Sequence, residues 1–159
     1  HQQISVAAGR TIVGRVAALT GGPGLPTADE LLALDAQTLR AAGLSRQKQG
    51  YLGDLAARVR DGRLDLSRLP RLDDEAAIEE LCQVKGIGRW SAQMVLIFHL
   101  GRLDVLPADD LGLRNAVGKA YGLAQPPTPR ELAAFGARWR PHRSVASWYL
   151  WQYLDLGGL

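Results

Sequence analysis

Apolar residues recur along this chain at intervals of three and four rather than two, a pattern that predicts helices and offers no convincing strand pair. Ile4, Ala8, Ile12, Val16 and Leu19 form one stripe through "ISVAAGRTIVGRVAALT". "TGGPGLPT" is a loop by its Gly and Pro content, after which Thr27 and Glu30 make a capping box that starts a helix through "ELLALD". Ser45 opens a longer helix with Tyr51, Leu52, Leu55 and Val59 on one face and Gly62 as its stop. Asp73 or Asp74 caps "EAAIEELCQV". "RWSAQMVLIFHLG" is apolar enough to predict a buried helix, and a loop containing Pro107 follows it. "DLGLRNAVGKAYG" carries Leu113, Val117 and Ala120. Thr128, Pro129 and Glu131 start another helix, and the last begins after Pro141 and runs through "SVASWYLWQYLDL". The expectation is an all-α fold of eight or nine helices.

Length allows one compact domain or two small lobes sharing a cleft, since 159 residues can bury a real core. Hydrophobic residues make up 47% and charged residues 22%, the balance of an ordinary globular chain. The net charge of +3 permits a nucleic-acid partner without requiring one. Cys82 is the single cysteine, which excludes an intramolecular disulfide and any cysteine-rich metal site; its expected role is a buried small hydrophobe. No apolar run reaches the roughly 18 residues of a membrane helix. The expected compartment is therefore the cytoplasm, with the nucleoid as its DNA-bearing part. The chain opens at His1 without Met, in a stretch that reads like the inside of an element, so upstream residues are expected.

One stretch interrupts the helices. "LCQVKGIGRWSA", residues 81 to 92, places Gly86 and Gly88 two positions apart between two helical runs, with Lys85 and Arg89 beside them. Gly is a common helix stop, so a plain helix–helix turn is one reading. The spacing hydrophobic-x-Gly-hydrophobic-Gly between helices favours another: a helix-hairpin-helix over about residues 74–101. Its glycines adopt backbone angles costly for other residues and present no side chain to an approaching surface. Its free N–H groups and the positive end of the next helix form an anion socket suited to a DNA phosphate, to which Lys85 and Arg89 add charge. Ile87 is expected to plug the turn onto the core.

Beyond the next helix, "PADDLGL" delivers Asp109 and Asp110 to the start of another. Helix capping accounts for one of them without chemistry. The second acid is spare, and a carboxylate beside free N–H groups at a helix N-terminus is favoured in its charged form. Negative charge is unhelpful to a protein that only binds DNA.

Together, "KGIGRWSA…DVLPADDLGLR" resembles the helix-hairpin-helix DNA glycosylase superfamily, in which such a hairpin precedes a Gly/Pro loop and a catalytic Asp. It is most similar to the 3-methyladenine DNA glycosylase II branch, as are "QQISVAAGRTIVGRVA" at the start and "RWRPHRSVASWYLWQYL" at the end. The resemblance implies a two-lobed helical bundle and a glycosylase domain over residues 1–159, lacking an N-terminal segment. It places Asp110 as the catalytic carboxylate, leaving Asp109 to the cap or to supporting hydrogen bonds. Gln3 falls where the family places the wedge that fills the gap of an extruded base. Trp90 and Trp151 fall at base-pocket positions, whereas Trp148 is expected in the core; Tyr149 and Tyr153 are open to either role. His99 and His142 are expected to be structural or solvent-facing.

The implied activity is monofunctional excision of alkylated bases from double-stranded DNA in base excision repair. The target nucleotide is flipped and its N-glycosidic bond hydrolysed by a monomer needing no metal or organic cofactor. A monovalent cation at the hairpin carbonyls is compatible with the family. No lyase activity is implied, because the position after Gly88-Arg89, where lyases of this superfamily carry Lys, is Trp90. The rival reading is a non-catalytic helix-hairpin-helix module that docks a larger machine on DNA.

Overall fold

The computed structural model describes residues 6–21 and 24–157, and in that range the chain is helical, with nine α-helices, two 3₁₀ turns and no strand. The helices are α1 (Val6–Ala17), α2 (Ala28–Ala33), α3 (Ala36–Ala41), α4 (Arg46–Arg60), α5 (Asp74–Cys82), α6 (Arg89–Phe98), α7 (Leu111–Ala120), α8 (Pro129–Phe135) and α9 (Arg143–Asp155). Their starts follow from local chemistry. Both capping boxes form, Thr27 with Glu30 and Thr128 with Glu131. Ser45 accepts the Lys48 N–H to start α4, and Asp73 accepts the Ala76 N–H to start α5. The short α3 is absent from the sequence reading. Its cap is Asp35, which accepts the Thr38 N–H at 2.8 Å.

The described residues fall into two compact units, one comprising the chain up to Leu69 together with Glu80–Gly86, the other Pro70–Glu79 and the chain from Ile87 onward. In the first unit α2 and α3 pack against α4. Val16, Leu39, Ala42 and Leu44 form a core there, with Ile12, Leu19 and Leu52 against it. Three members of the expected α1 stripe thus pack as read; Ala8 is exposed, and Ile4 lies outside the described residues.

In the second unit α7 packs against α9, and Leu113, Ala116, Val117, Leu132 and Leu150 form the core. Each fully buried Leu or Val contributes about 1.5–3 kcal/mol, so α7 is held along its length. The start of α9 is tied to the loop before α7. Arg143 donates through Nε to Asp104 Oδ1 at 2.7 Å and through Nη2 to Asp104 Oδ2 at 3.0 Å. Buried Ser144 accepts the Val105 N–H at 2.9 Å and donates to the Val105 carbonyl at 3.2 Å.

Three expectations need correction. Helix α6 is buried on one side only: Ala92, Gln93 and Leu96 face inward while Phe98 is 61% exposed. Cys82 is exposed rather than buried, because Leu81 and Val84 take the inward positions where α5 ends. Trp148 is also exposed, packed edge-to-face against exposed Tyr149 with ring centroids 5.1 Å apart. The inward positions of α9 are Ser144, Ser147 and Leu150, spaced by three, so helical period outranks side-chain size. Ala120 is likewise exposed. His99 and His142 face solvent, and Tyr153 is half-buried.

Candidate active site

The two glycines of the turn serve different ends. Gly86 has φ +83°, in the left-handed region, and a Cβ on it would run into the Tyr51 ring of α4. Its missing side chain therefore makes room for Tyr51, not for an incoming ligand. The Tyr51 hydroxyl accepts from Gln47 Nε2 at 2.7 Å, and the Lys85 N–H donates to Asp54 Oδ2 at 2.9 Å, so the first half of the turn rests on one face of α4. The Lys85 N–H and the Arg58 guanidinium hold the Asp54 carboxyl below its usual range. The side chain of Lys85 is exposed.

Gly88 is the N-cap of α6 in an extended conformation, and no side chain caps the helix. A Cβ there would meet nothing within 4 Å. An open, uncapped helix N-terminus is an anion-binding arrangement. The Gly88 carbonyl accepts the first helical bond of α6 from Ala92 at 3.0 Å. Ile87 is half-buried. Arg89 departs from expectation: its guanidinium is already engaged with Glu75 through Nη1 at 2.8 Å and Nη2 at 2.5 Å. Arg89 in turn keeps the Glu75 carboxyl below its usual range. A phosphate contact by Arg89 would compete with this pair.

Of the adjacent acids, Asp110 is the N-cap of α7 and Asp109 is not, so the cap expected of Asp109 falls to the acid expected to be catalytic. The Asp110 N–H closes a turn onto the Pro107 carbonyl at 3.0 Å, leaving Asp109 exposed at the turn's tip. Three N–H groups converge on the Asp110 carboxylate. Oδ1 accepts from the Leu113 N–H at 2.5 Å and from Trp151 Nε1 at 3.1 Å. Oδ2 accepts from Trp90 Nε1 at 2.6 Å. Donors on both oxygens suit the acceptor-only character of an ionised carboxylate. Three predicted residues (Asp110, Trp90 and Trp151) thus meet at one point. Gln3 lies outside the described residues.

Two neighbours escaped the sequence reading. Phe98 lies 5.9 Å from the Trp151 ring, centroid to centroid, on the exposed side of α6. Gly112 sits on the first turn of α7, where a Cβ would lie 3.1 Å from Asp110 Oδ1 and 3.9 Å from Trp151 Cδ1. A glycine just inside a helix start, which costs helix propensity, was the available signal.

Residues 1–141 match the HhH-GPD superfamily of base excision DNA repair proteins. The chain belongs to that superfamily. It is 36% identical to DNA-3-methyladenine glycosylase 1 of Schizosaccharomyces pombe over 95% of its own length and 67% of the relative's. It is 30% identical to DNA-3-methyladenine glycosylase 2 of Escherichia coli, spanning 94% of this chain and 53% of that one. The solved 3-methyladenine DNA glycosylase of Schizosaccharomyces pombe in complex with abasic DNA superposes with a TM-score of 0.90 at 35% identity, covering 99% of this chain and 77% of that chain. A DNA-3-methyladenine glycosidase from Bacillus halodurans gives 0.84 at 38% identity, covering 96% and 70%. This HhH-GPD chain therefore spans between about half and about two thirds of those two curated relatives.

Proposed function

We propose that the chain is a DNA glycosylase that excises alkylated bases of the 3-methyladenine type from duplex DNA and leaves the strand intact. The observation that carries this reading is the Asp110 carboxylate, held by three N–H donors at the start of α7 in a chain of the HhH-GPD superfamily. An exposed helix cap needs one donor; a carboxylate with two added indole donors is built to hold an orientation. The names of the relatives support the alkylated base as target.

In this mechanism the open N-terminus of α6, with Lys85 nearby in sequence, takes a backbone phosphate without reading bases. The target nucleotide leaves the stack at a cost of a few kcal/mol. Alkylation gives the base positive charge, so it departs readily with the electron pair of the C1′–N bond, and cation–π contact with aromatic walls suits it. The sugar passes through an oxocarbenium-like state that the Asp110 carboxylate stabilises. A water oxygen then bonds to C1′ and its proton passes to Asp110 or solvent, giving an abasic site.

Strand cleavage needs an amine to form a Schiff base with the sugar. The residue after Gly88-Arg89 is Trp90, whose indole nitrogen already donates to Asp110. Release of free base from alkylated duplex, followed by chromatography, tests the activity. An intact strand before alkali and a broken one after it tests the monofunctional product.

A further inference from the structure

The carboxylate of Asp110 is not symmetric in its surroundings. A carboxylate offers about four acceptor positions, two on each oxygen. Oδ1 uses both, on the Leu113 N–H and Trp151 Nε1. Oδ2 uses one, on Trp90 Nε1. Gly112 stands against Oδ1, and any Cβ there would press on that oxygen while making ordinary contact with the Trp151 ring. Both indoles have been read as walls of a base pocket, a role that needs their faces and not their N–H groups.

We propose that Trp151 and Gly112 are positioning residues that anchor Oδ1, so that Oδ2, with its one open acceptor position, is the oxygen presented to the sugar and the attacking water. Trp90 is a lesser positioning residue that aims Oδ2. This assignment rests on the glycosylase reading above. Trp151 fixes the carboxylate through a bond that a phenylalanine of similar shape cannot make. Gly112 keeps the space in which that bond forms, at the expense of helix propensity in the first turn of α7. A misplaced catalytic group can cost about a hundredfold in rate, which sets the scale of the expected losses.

The test uses the full chain and an alkylated duplex under single-turnover conditions, with thermal unfolding of each variant alongside. Trp151→Phe and Gly112→Ala should each slow base release roughly tenfold to a hundredfold, while the half-saturating DNA concentration stays at its wild-type value. Trp90→Phe should slow release by a smaller factor than Trp151→Phe. Gly112→Ala should change the unfolding temperature little, because the better helix propensity of Ala offsets the weakened Asp110 cap. In an Asp110→Asn background, Trp151→Phe should bring no further loss, since two residues acting through one group are not additive. Wild-type rates in Trp151→Phe and Gly112→Ala would overturn the proposal, as would a larger loss in Trp90→Phe than in Trp151→Phe. If Asp110→Asn itself kept the wild-type rate, the glycosylase mechanism would be wrong; if it alone were inactive, the mechanism would stand and only the anchoring role would fall.

Discussion

Two adjacent carboxylates, Asp109 and Asp110, differ in what the backbone lets them reach. The turn closed by the Pro107 carbonyl puts Asp109 at an exposed tip and gives Asp110 the extended geometry of an N-cap. Asp109→Asn should keep the rate of base release within about threefold of wild type, as exposed substitutions outside bonded sites change little. That an acid sits at this helix start is legible in "PADDLGL". Which acid caps is not, because either could reach an N–H three residues on, and the Pro107 turn decides between them. The tryptophans were similarly half-legible. Their presence at the site came from resemblance, whereas the indole N–H bonds depend on rotamers that no spacing rule fixes.

The hairpin shows the same division at the level of elements. Spacing alone identified the turn, yet it treated Gly86 and Gly88 as equivalent. Tyr51, more than thirty residues away in sequence, makes them different. Gly86→Ala combines a left-handed backbone with a clash against that ring and should lower stability by at least about 2 kcal/mol in denaturant unfolding. Gly88→Ala should cost less than about 1 kcal/mol, the loss of a better N-cap residue, since its backbone is extended and its surroundings open. It should instead weaken binding to every DNA sequence alike, because the added methyl stands at the open end of α6. A loss confined to one sequence context would contradict a backbone clamp. Helices α5, α6 and α9 start where the sequence places them, whereas α5 ends at Cys82 and α6 at Phe98, short of the runs that predict them. Burial was misjudged where residue type was weighed above period, as at Trp148 and Cys82.

For the whole molecule, the bond between Asp104 and Arg143 ties the loop leading to Asp110 to the helix carrying Trp151. Arg143 holds the Asp104 carboxyl below its usual range. A carboxylate with a lowered folded-state value adds stability that is fully present above the ordinary aspartate range and lost as pH falls through the lowered value. Asp104→Asn should therefore reduce the unfolding temperature at neutral pH, and the gap from wild type should narrow on acidification. A gap that stayed constant into strong acid would show that the pair does not supply it. The central claim is the catalytic use of Asp110, and its most direct test is single-turnover release of base from an alkylated duplex by wild type and Asp110→Asn. The expected result is free base from wild type, strands that break only after alkali, and a loss of at least about a hundredfold in Asp110→Asn with DNA affinity maintained or raised. Retention of more than about a tenth of the wild-type rate by Asp110→Asn, above the loss scale of any such carboxylate, would contradict it.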